Sequence, residues 1–315
     1  MVEAASSGIE FETLKSQYIS SIKEHIVNES LRYIMRMLEA SRNGYEPMRV
    51  SCLIDDCLMN GKSIYEGGER YCFLQPILVG FATAVDSLLA IKQIVYADKR
   101  FELHEFLKII RNNYEGQELI RQHIIHKCPH YGNDDEVADL EASWLANAIL
   151  NIFKDNKSKL LAGNIMMPGT FTYVSHASMG ARAGASFDGR KAAVSYSDGC
   201  SPVQGRDTHG PTSMILSLTS WDQSAFLGGM VVNVKLAPSH LQEGKTEGFI
   251  KILRAFLQRG GIEMQVNVVN RQTLLSAREH PENHRDLLVR IGGFSDYFVR
   301  LSDALQLEII ERTEH

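Results

Sequence analysis

The sequence lacks three features that would assign it to a membrane, to the secretory route or to nucleic acid. It has no apolar run approaching the roughly 18 residues that a membrane-spanning helix needs. Its N-terminus, Met-Val-Glu-Ala-Ala-Ser-Ser-Gly, has neither the basic nor the apolar segment of a signal peptide. With a net charge of -5 and no basic cluster, the chain lacks the electrostatic signature of nucleic-acid or anionic-membrane binding. We therefore expect a cytoplasmic protein that binds neither nucleic acid nor membrane.

Cysteine is sparse, and its spacing contains no Cys-x-x-Cys pair. Reduced thiols are therefore a better interpretation than a disulfide framework for the five residues Cys52, Cys57, Cys72, Cys128 and Cys200. The loop at residues 126–130 offers His126, Cys128 and His130, with Asp134 and Asp135 close behind. It lacks the repeated two-residue spacing of zinc sites, so we expect no metal there. The glycine patterns of nucleotide-binding loops are also missing.

The composition is that of a globular protein, with 44% hydrophobic and 23% charged residues in 315. Residues 1–160 are predicted to be mainly helical. Apolar residues recur there every three or four positions, at Leu14, Tyr18, Ile22 and Ile26 and again at Ala84, Leu88, Ile91 and Val95. From residue 161 to residue 315 glycine becomes frequent and short β-rich runs appear, so a second region is predicted there.

The second region predicts strands at Thr170–Ser175, Gly229–Leu236 and Ile262–Val269. Helical periodicity at Glu247–Gln258 separates the last two, and another short helix is expected at Arg271–His280. A strand, a helix and a strand with so short a crossover indicate a parallel, right-handed unit. Units of this kind close into barrels or into doubly wound sheets.

The paired glycine within Val289–Phe298 lies between an apolar run and an aromatic run. On its own, such a pair is typical of an ordinary turn or β-bulge. Two arginines, Arg190 and Arg206, could bind a carboxylate or phosphate, although anchoring of their own loops is the simpler interpretation.

The stretch around the paired glycine resembles the radical-bearing loop of the glycyl radical enzymes, the pyruvate formate-lyase and glycerol dehydratase family, which reads Arg-Val-(Ala/Ser)-Gly-Tyr. Further segments resemble the same family in the same order, and the tail Ile309–His315 resembles the family's own end. These segments are Leu53–Cys57, Gly67–Tyr71, Val79–Gly80, Asp86–Leu88, Tyr131–Asp135, Asp188–Arg190, Ser201–Asp207 and Gln265–Val269. The chain is identified as a member of this family from that ordered resemblance.

The resemblance implies an α/β fold, in which a helical N-terminal layer precedes the second half of a ten-stranded α/β barrel. The C-terminal glycine radical domain would carry its radical loop at about residues 286–300. Gly293 would be the radical carbon, supported by Arg290, Gly292 and Phe294. Glycine suits this role because loss of one α-hydrogen leaves a planar carbon that a Cβ would crowd. Substrate-lining residues are expected at Thr170, Thr172 and Tyr173.

The chemistry that the resemblance implies needs no bound cofactor. A separate activating enzyme with S-adenosylmethionine and an iron–sulfur cluster removes a hydrogen atom from the glycine. The glycyl radical then takes hydrogen from a cysteine, whose thiyl radical attacks a small-molecule substrate. Segment Ser201–Asp207 and the tail are more similar to the branch of dehydratases and lyases than to pyruvate formate-lyase (formate C-acetyltransferase) itself. The sequence does not identify the substrate.

The chain departs from the family pattern in two ways. Phe294 and Ile291 stand where tyrosine and valine are usual, and Ser186-Phe187 replaces Thr-Pro. The family's cysteine loop, Gly-Cys-Val-Glu-Pro, is absent, and full-length members are more than twice as long. We therefore expect a radical-bearing portion that needs a complementary N-terminal half or a homologous subunit. The alternatives are an inert fragment and a repair part that binds a damaged full-length enzyme.

Overall fold

The computed structural model describes residues 8–44, 48–71, 73–155, 165–166, 168–242 and 246–315. They form two compact units. The first contains residues 12–76 and 147–168, and the second contains residues 8–11, 77–146 and 169–315. This interleaved division differs from the sequential one near residue 160 that composition predicts, because α-helices built from residues 77–146 belong with the C-terminal strands.

The first unit is mainly helical. Its helices are α1 (Phe11–Arg42), α2 (Met48–Ser51) and α3 (Cys57–Asn60), and its strands β1 (Phe73–Leu74) and β2 (Ile165–Met166) pair in parallel. The helix predicted from the apolar repeat that begins at Leu14 is confirmed. Leu14 is buried, whereas Tyr18, Ile22 and Ile26 are only half-buried. The apolar stripe of α1 is therefore only partly covered.

Helices also open the second unit, as their periodicity predicts. They are α4 (Phe81–Ile91), which continues as a π-helical turn at Lys92–Ala97, α5 (Leu103–Arg111), α6 (Glu118–Lys127) and α7 (Glu136–Asp155), whose residues from 147 onwards belong to the first unit. Helix α4 carries the fully buried Asp86, whose carboxylate accepts a hydrogen bond from Tyr131 N at 3.0 Å and contacts His130 Nδ1 at 2.9 Å. The loop before α7 is thereby anchored to α4 through buried polar groups.

The C-terminal part alternates strands and helices. It comprises α8 (Ser175–Gly180), α9 (Pro211–Leu218), β3 (Val231–Leu236), α10 (Thr246–Gln258), β4 (Glu263–Val268), α11 (Arg271–Glu279), β5 (Leu288–Arg290), β6 (Ser295–Tyr297) and α12 (Asp303–Glu311). Strands β3 and β4 are parallel, in the register Val231↔Glu263 to Leu236↔Val268. The predicted parallel strand–helix–strand unit is therefore confirmed.

The strand expected at Thr170–Ser175 is wrong. Helix α8 begins at Ser175, and the isolated parallel bridge between Ile77 and Gly169 lies just before the expected strand. Tyr173 has a φ of 53°, which interrupts an extended strand. Thr, Phe and Tyr favour strands on average, but the local backbone and the contacts of this segment override that preference.

Within the described ranges the sheets each have two strands, namely β1–β2, β3–β4 and β5–β6. The fold of the described residues is therefore mixed α and β. In the part of the chain that the structure describes, no helix combines the length and the apolar character needed to cross a membrane.

Candidate functional site

The paired glycine lies in the connection of a short hairpin. Strands β5 and β6 are antiparallel, with Arg290 opposite Ser295, and Ile291 N donates to Phe294 O at 2.9 Å to close the loop. Below the loop is an apolar core from β5, α11, α12 and their connections, made of Val269, Leu274, Ala277, Val289, Ile291, Phe298, Ile309 and Ile310. The hairpin therefore packs against an apolar core, and the loop at residues 291–294 forms its tip.

Gly293 occupies a backbone conformation that favours glycine, with a φ of +81°. A Cβ added there would lie 2.7 Å from Cε1 of Phe171. The Phe171 ring packs edge-on against Tyr173, with centroids 4.8 Å apart, which limits its freedom to move away. Both the backbone and the surroundings of Gly293 therefore disfavour a side chain, because the backbone would be strained and the Phe171 ring would have to shift.

Gly292 is also enclosed, but by backbone. A Cβ added there would lie 2.5 Å from the carbonyl oxygen of Tyr173. A backbone atom cannot be displaced as readily as the end of a side chain, so Gly292→Ala is not a mild control for Gly293→Ala. The matched control is Gly248, which is exposed in α10 and has open space where a Cβ would be.

Two buried side chains of β4 hold the glycine loop. Gly293 N donates to Oε1 of Gln265 at 3.2 Å. Asn267 binds the backbone of Arg290 twice, because its Nδ2 donates to Arg290 O at 2.8 Å and its Oδ1 accepts from Arg290 N at 2.7 Å. Residues two apart on a strand face the same side, so one face of β4 supports both the end of β5 and the loop.

Gln265 and Asn267 lie in a segment that resembles the family, but the sequence alone assigns them no role, and no sequence pattern singles out Phe171. The available signal was the alternation Gln-Val-Asn-Val, in which amides occupy every second position of a strand. Of the predicted support residues, Gly292 is buried beside the Tyr173 carbonyl, Arg290 is half-buried with its backbone held by Asn267, and Phe294 is exposed.

The three residues predicted to line a substrate site differ in their environments. Thr170 and Thr172 are fully buried, and their hydroxyls have partners within the protein. Thr170 Oγ1 donates to Sδ of Met230 at 3.5 Å, and Thr172 Oγ1 donates to the Asp198 carboxylate. Tyr173 is 51% exposed. Their role towards a substrate stays a prediction.

Thr172 belongs to a buried charged cluster that was not foreseen from the sequence. In this cluster, which we call the tail cluster, Arg312 Nη2 donates to Glu308 Oε2 at 2.8 Å and to Asp198 Oδ2 at 3.2 Å. His176 Nδ1 lies 3.2 Å from Asp198 Oδ1, and Asn233 Nδ2 donates to Asp198 Oδ2 at 2.7 Å. The cluster ties the end of α12 to β3 and to the start of α8.

Burial and charge oppose each other in the tail cluster. Burial raises the pKa of a carboxylic acid, but the Arg312 guanidinium and His176 outweigh it at Glu308 and hold the pKa of that group below its usual range. At His176, burial lowers the pKa, but the carboxylates of Glu308 and Asp198 outweigh burial and raise it. His176, Asp198 and Glu308 are spaced as metal ligands could be. Arg312 already donates to both carboxylates, so the cluster carries its own cation.

The cysteines that the structure describes are free thiols, and three of the four are buried. Cys200 is fully buried and its Sγ donates to Val231 O at 3.2 Å, on β3. Burial raises the pKa of Cys200 to about 12 and that of Cys128 to about 11, so both thiols stay protonated at neutral pH. Cys57 is buried and Cys52 is exposed, both in the first unit.

Two family models match the chain. The model described as "Pyruvate formate lyase-like" matches residues 5–180, and the model described as "Glycine radical" matches residues 196–299, which include the hairpin tip. The chain therefore belongs to the glycyl radical enzyme family, as the ordered motifs predict. In this family a separate activating enzyme installs the radical, and the glycyl radical enzyme then acts on a substrate.

Relatives of the chain include dehydratases. Trans-4-hydroxy-L-proline dehydratase of Clostridioides difficile is 38% identical over 269 residues, which are 84% of this chain and 33% of that protein. The structure of glycerol-bound, B12-independent glycerol dehydratase from Clostridium butyricum matches with a TM-score of 0.78 and 32% identity, over 84% of this chain and 34% of that chain.

A glycyl radical enzyme from Archaeoglobus fulgidus matches more of the fold. Its TM-score is 0.87 at 26% identity, and the match covers 96% of this chain and 38% of that chain. Across these three relatives, the chain spans between about a third and two fifths of the relative's length. It thus resembles a portion of these enzymes.

Proposed function

We propose that this chain is the radical-bearing portion of a glycyl radical dehydratase or lyase and that Gly293 stores the radical. The observation that carries the proposal is the environment of Gly293. It combines a φ of +81°, an amide held by Gln265 and no room for a Cβ beside Phe171. Such a site favours a residue without a side chain. It also shields one side of the Cα with an aromatic ring.

In the proposed activation, the Cα–H bond of Gly293 breaks homolytically. The hydrogen atom passes to an organic radical supplied by an activating enzyme that uses S-adenosylmethionine and an iron–sulfur cluster, and the unpaired electron stays on Gly293. The flanking peptide groups are planar, and each can share that electron once rotation about its bond to Cα brings it into the plane of the radical carbon. Such a radical requires protection from water and oxygen, and the partly buried loop limits the access of both.

Turnover is proposed to need a second polypeptide segment. A cysteine transfers its S–H hydrogen atom to the Gly293 radical, which restores glycine and leaves a thiyl radical for the substrate. Because this chain has no Gly-Cys-Val-Glu-Pro loop, that cysteine would come from a complementary N-terminal half or a homologous subunit. Joining the two parts would complete the ten-stranded barrel. We further propose a cytoplasmic location, a small-molecule substrate and no turnover by this chain alone.

The test is anaerobic activation of the full chain with a cognate activating enzyme and S-adenosylmethionine, followed by electron paramagnetic resonance. We expect a doublet from coupling to the one remaining α-hydrogen, which collapses to a singlet in protein labelled with α-deuterated glycine. Gly293→Ala should give no signal, whereas Gly248→Ala should give the wild-type signal. A doublet that persists in Gly293→Ala would contradict the proposal.

A further inference from the structure

We propose that Gln265 sets the orientation of the Gly293 amide and thereby how far an unpaired electron at Gly293 spreads onto the amide nitrogen. This inference rests on the function proposed above and adds a positioning residue to it. Its basis is the hydrogen bond from Gly293 N to Gln265 Oε1 at 3.2 Å. Gln265 is 4% exposed, so water has little access to this acceptor.

The orientation of the Gln265 amide is itself set by a second contact. Its Nε2 donates to Oε1 of Glu263 at 2.7 Å. An ionised carboxylate only accepts hydrogen bonds, so it selects the rotamer in which the NH2 group faces Glu263 and the oxygen faces Gly293. Residues 263 and 265 share a face of β4 because side chains alternate along a strand. The two hydrogen bonds thus run in one direction, from Gly293 N–H to Gln265 and from Gln265 to Glu263.

The contact matters because radical formation changes the geometry of Gly293. With a φ of +81°, the peptide group before Gly293 is turned well away from the extended arrangement that conjugates it with a planar Cα. Conjugation requires rotation about the N–Cα bond, and this rotation moves the N–H group. An acceptor that holds the N–H therefore sets how far the rotation proceeds. The spin density on the amide nitrogen reports the outcome.

Asn267 has a different task. Both of its hydrogen bonds go to the backbone of Arg290, before the loop, so it fixes the end of β5 rather than the amide of the glycine. Gln265 is therefore the side chain whose removal alters the Gly293 amide while the hairpin stays anchored.

The test compares Gln265→Leu, which removes the acceptor at similar size, with Gln306→Leu. Gln306 is a matched control because it is 7% exposed and its Nε2 donates to Phe298 O at 3.0 Å, away from the loop. A third variant, Glu263→Leu, keeps Gln265 but removes the group that orients its amide. All three are made in the full chain, labelled with 15N-glycine.

Two measurements are made on each variant. The first is the 15N hyperfine coupling of the radical after anaerobic activation, which a loss of stability alone does not change. We expect it to shift in Gln265→Leu and Glu263→Leu and to keep its wild-type value in Gln306→Leu. The second is hydrogen exchange of the Gly293 amide before activation. It should accelerate about fivefold in Gln265→Leu, the factor for one hydrogen bond of roughly 1 kcal/mol.

The outcomes separate this inference from the proposed function. A wild-type radical whose 15N coupling is unchanged in Gln265→Leu overturns the inference and leaves Gly293 as the radical site. If the wild type gives no radical signal, that result contradicts the proposed function and also this inference about Gln265. If Gln265→Leu does not fold, Glu263→Leu decides, and an unchanged coupling and exchange rate there overturn the inference.

Discussion

Asn267 replaces a strand partner for Arg290. Its side-chain amide donates to Arg290 O at 2.8 Å and accepts from Arg290 N at 2.7 Å, the pairing that a neighbouring strand would make. Through this contact the glycine hairpin is fixed to a strand 23 residues earlier in the chain. The position of the end of β5 therefore depends on this buried side chain.

Removal of this amide should loosen the hairpin. Asn267→Leu leaves the N–H and C=O of Arg290 without partners, and we expect it to lower the free energy of unfolding by about 2 to 3 kcal/mol. Chemical denaturation measures this loss. Asn283→Ala, at an exposed position before the hairpin, should stay within about 0.5 kcal/mol of the wild type. Equal midpoints for Asn267→Leu and the wild type would show that Asn267 is not an anchor.

The tail cluster should be sensitive to loss of its cation. Arg312→Met removes the guanidinium that donates to the buried carboxylates of Glu308 and Asp198 and leaves them only His176, so we expect a loss of about 3 kcal/mol in the free energy of unfolding. Glu308→Gln in the same chain removes one of those charges and should recover part of the loss. If the double variant is as unstable as the sum of the two single variants, the carboxylates are not coupled through Arg312.

Lys235 should make stability depend on alkaline pH. It is 1% exposed, and its Nζ donates to Ile310 O at 2.9 Å. Burial lowers the pKa of Lys235 from 10.5 to about 8, with Arg271 and Arg312 adding to the effect and Glu314 and Glu311 opposing it. Between pH 8 and 10 the unfolded chain therefore holds more of this proton than the folded chain, and the contribution of Lys235 to stability rises with pH.

The comparison with Lys235→Met isolates this group from every other ionisable group of the chain. From pH 8 to 9.5 the wild type should gain about 1 kcal/mol in the free energy of unfolding relative to Lys235→Met. Urea denaturation at several pH values provides the measurement. A constant difference between the two proteins would place the pKa of Lys235 outside this window.

The first unit exposes large apolar side chains that favour association. Leu53, Leu58 and Met59 are 81%, 71% and 88% exposed. Large exposed apolar patches mark interaction surfaces or cause aggregation. We expect the purified chain to self-associate, and the triple substitution of these residues by serine should shift sedimentation towards the monomer. A monodisperse wild-type monomer at micromolar concentration would contradict this expectation.

The sequence predicted the elements that local pattern determines. Strands β3 and β4, and the helix between them, follow from alternation and helical periodicity, and the glycine loop follows from its motif. The contacts between Gln265 and Gly293 and between Arg312 and Asp198 join residues 28 and 114 positions apart, and no local pattern encodes such pairs. The strand expected at Thr170–Ser175 failed because Tyr173 adopts a positive φ.

The most direct test of the account is the site at which oxygen cuts the activated chain. A radical at Gly293 that meets oxygen should break the backbone there and release the C-terminal piece that begins near Phe294, which intact-mass measurement identifies. We expect this cleavage in the wild type and in Gly248→Ala and none in Gly293→Ala. Cleavage at another glycine, or cleavage that persists in Gly293→Ala, would show that Gly293 does not hold the radical.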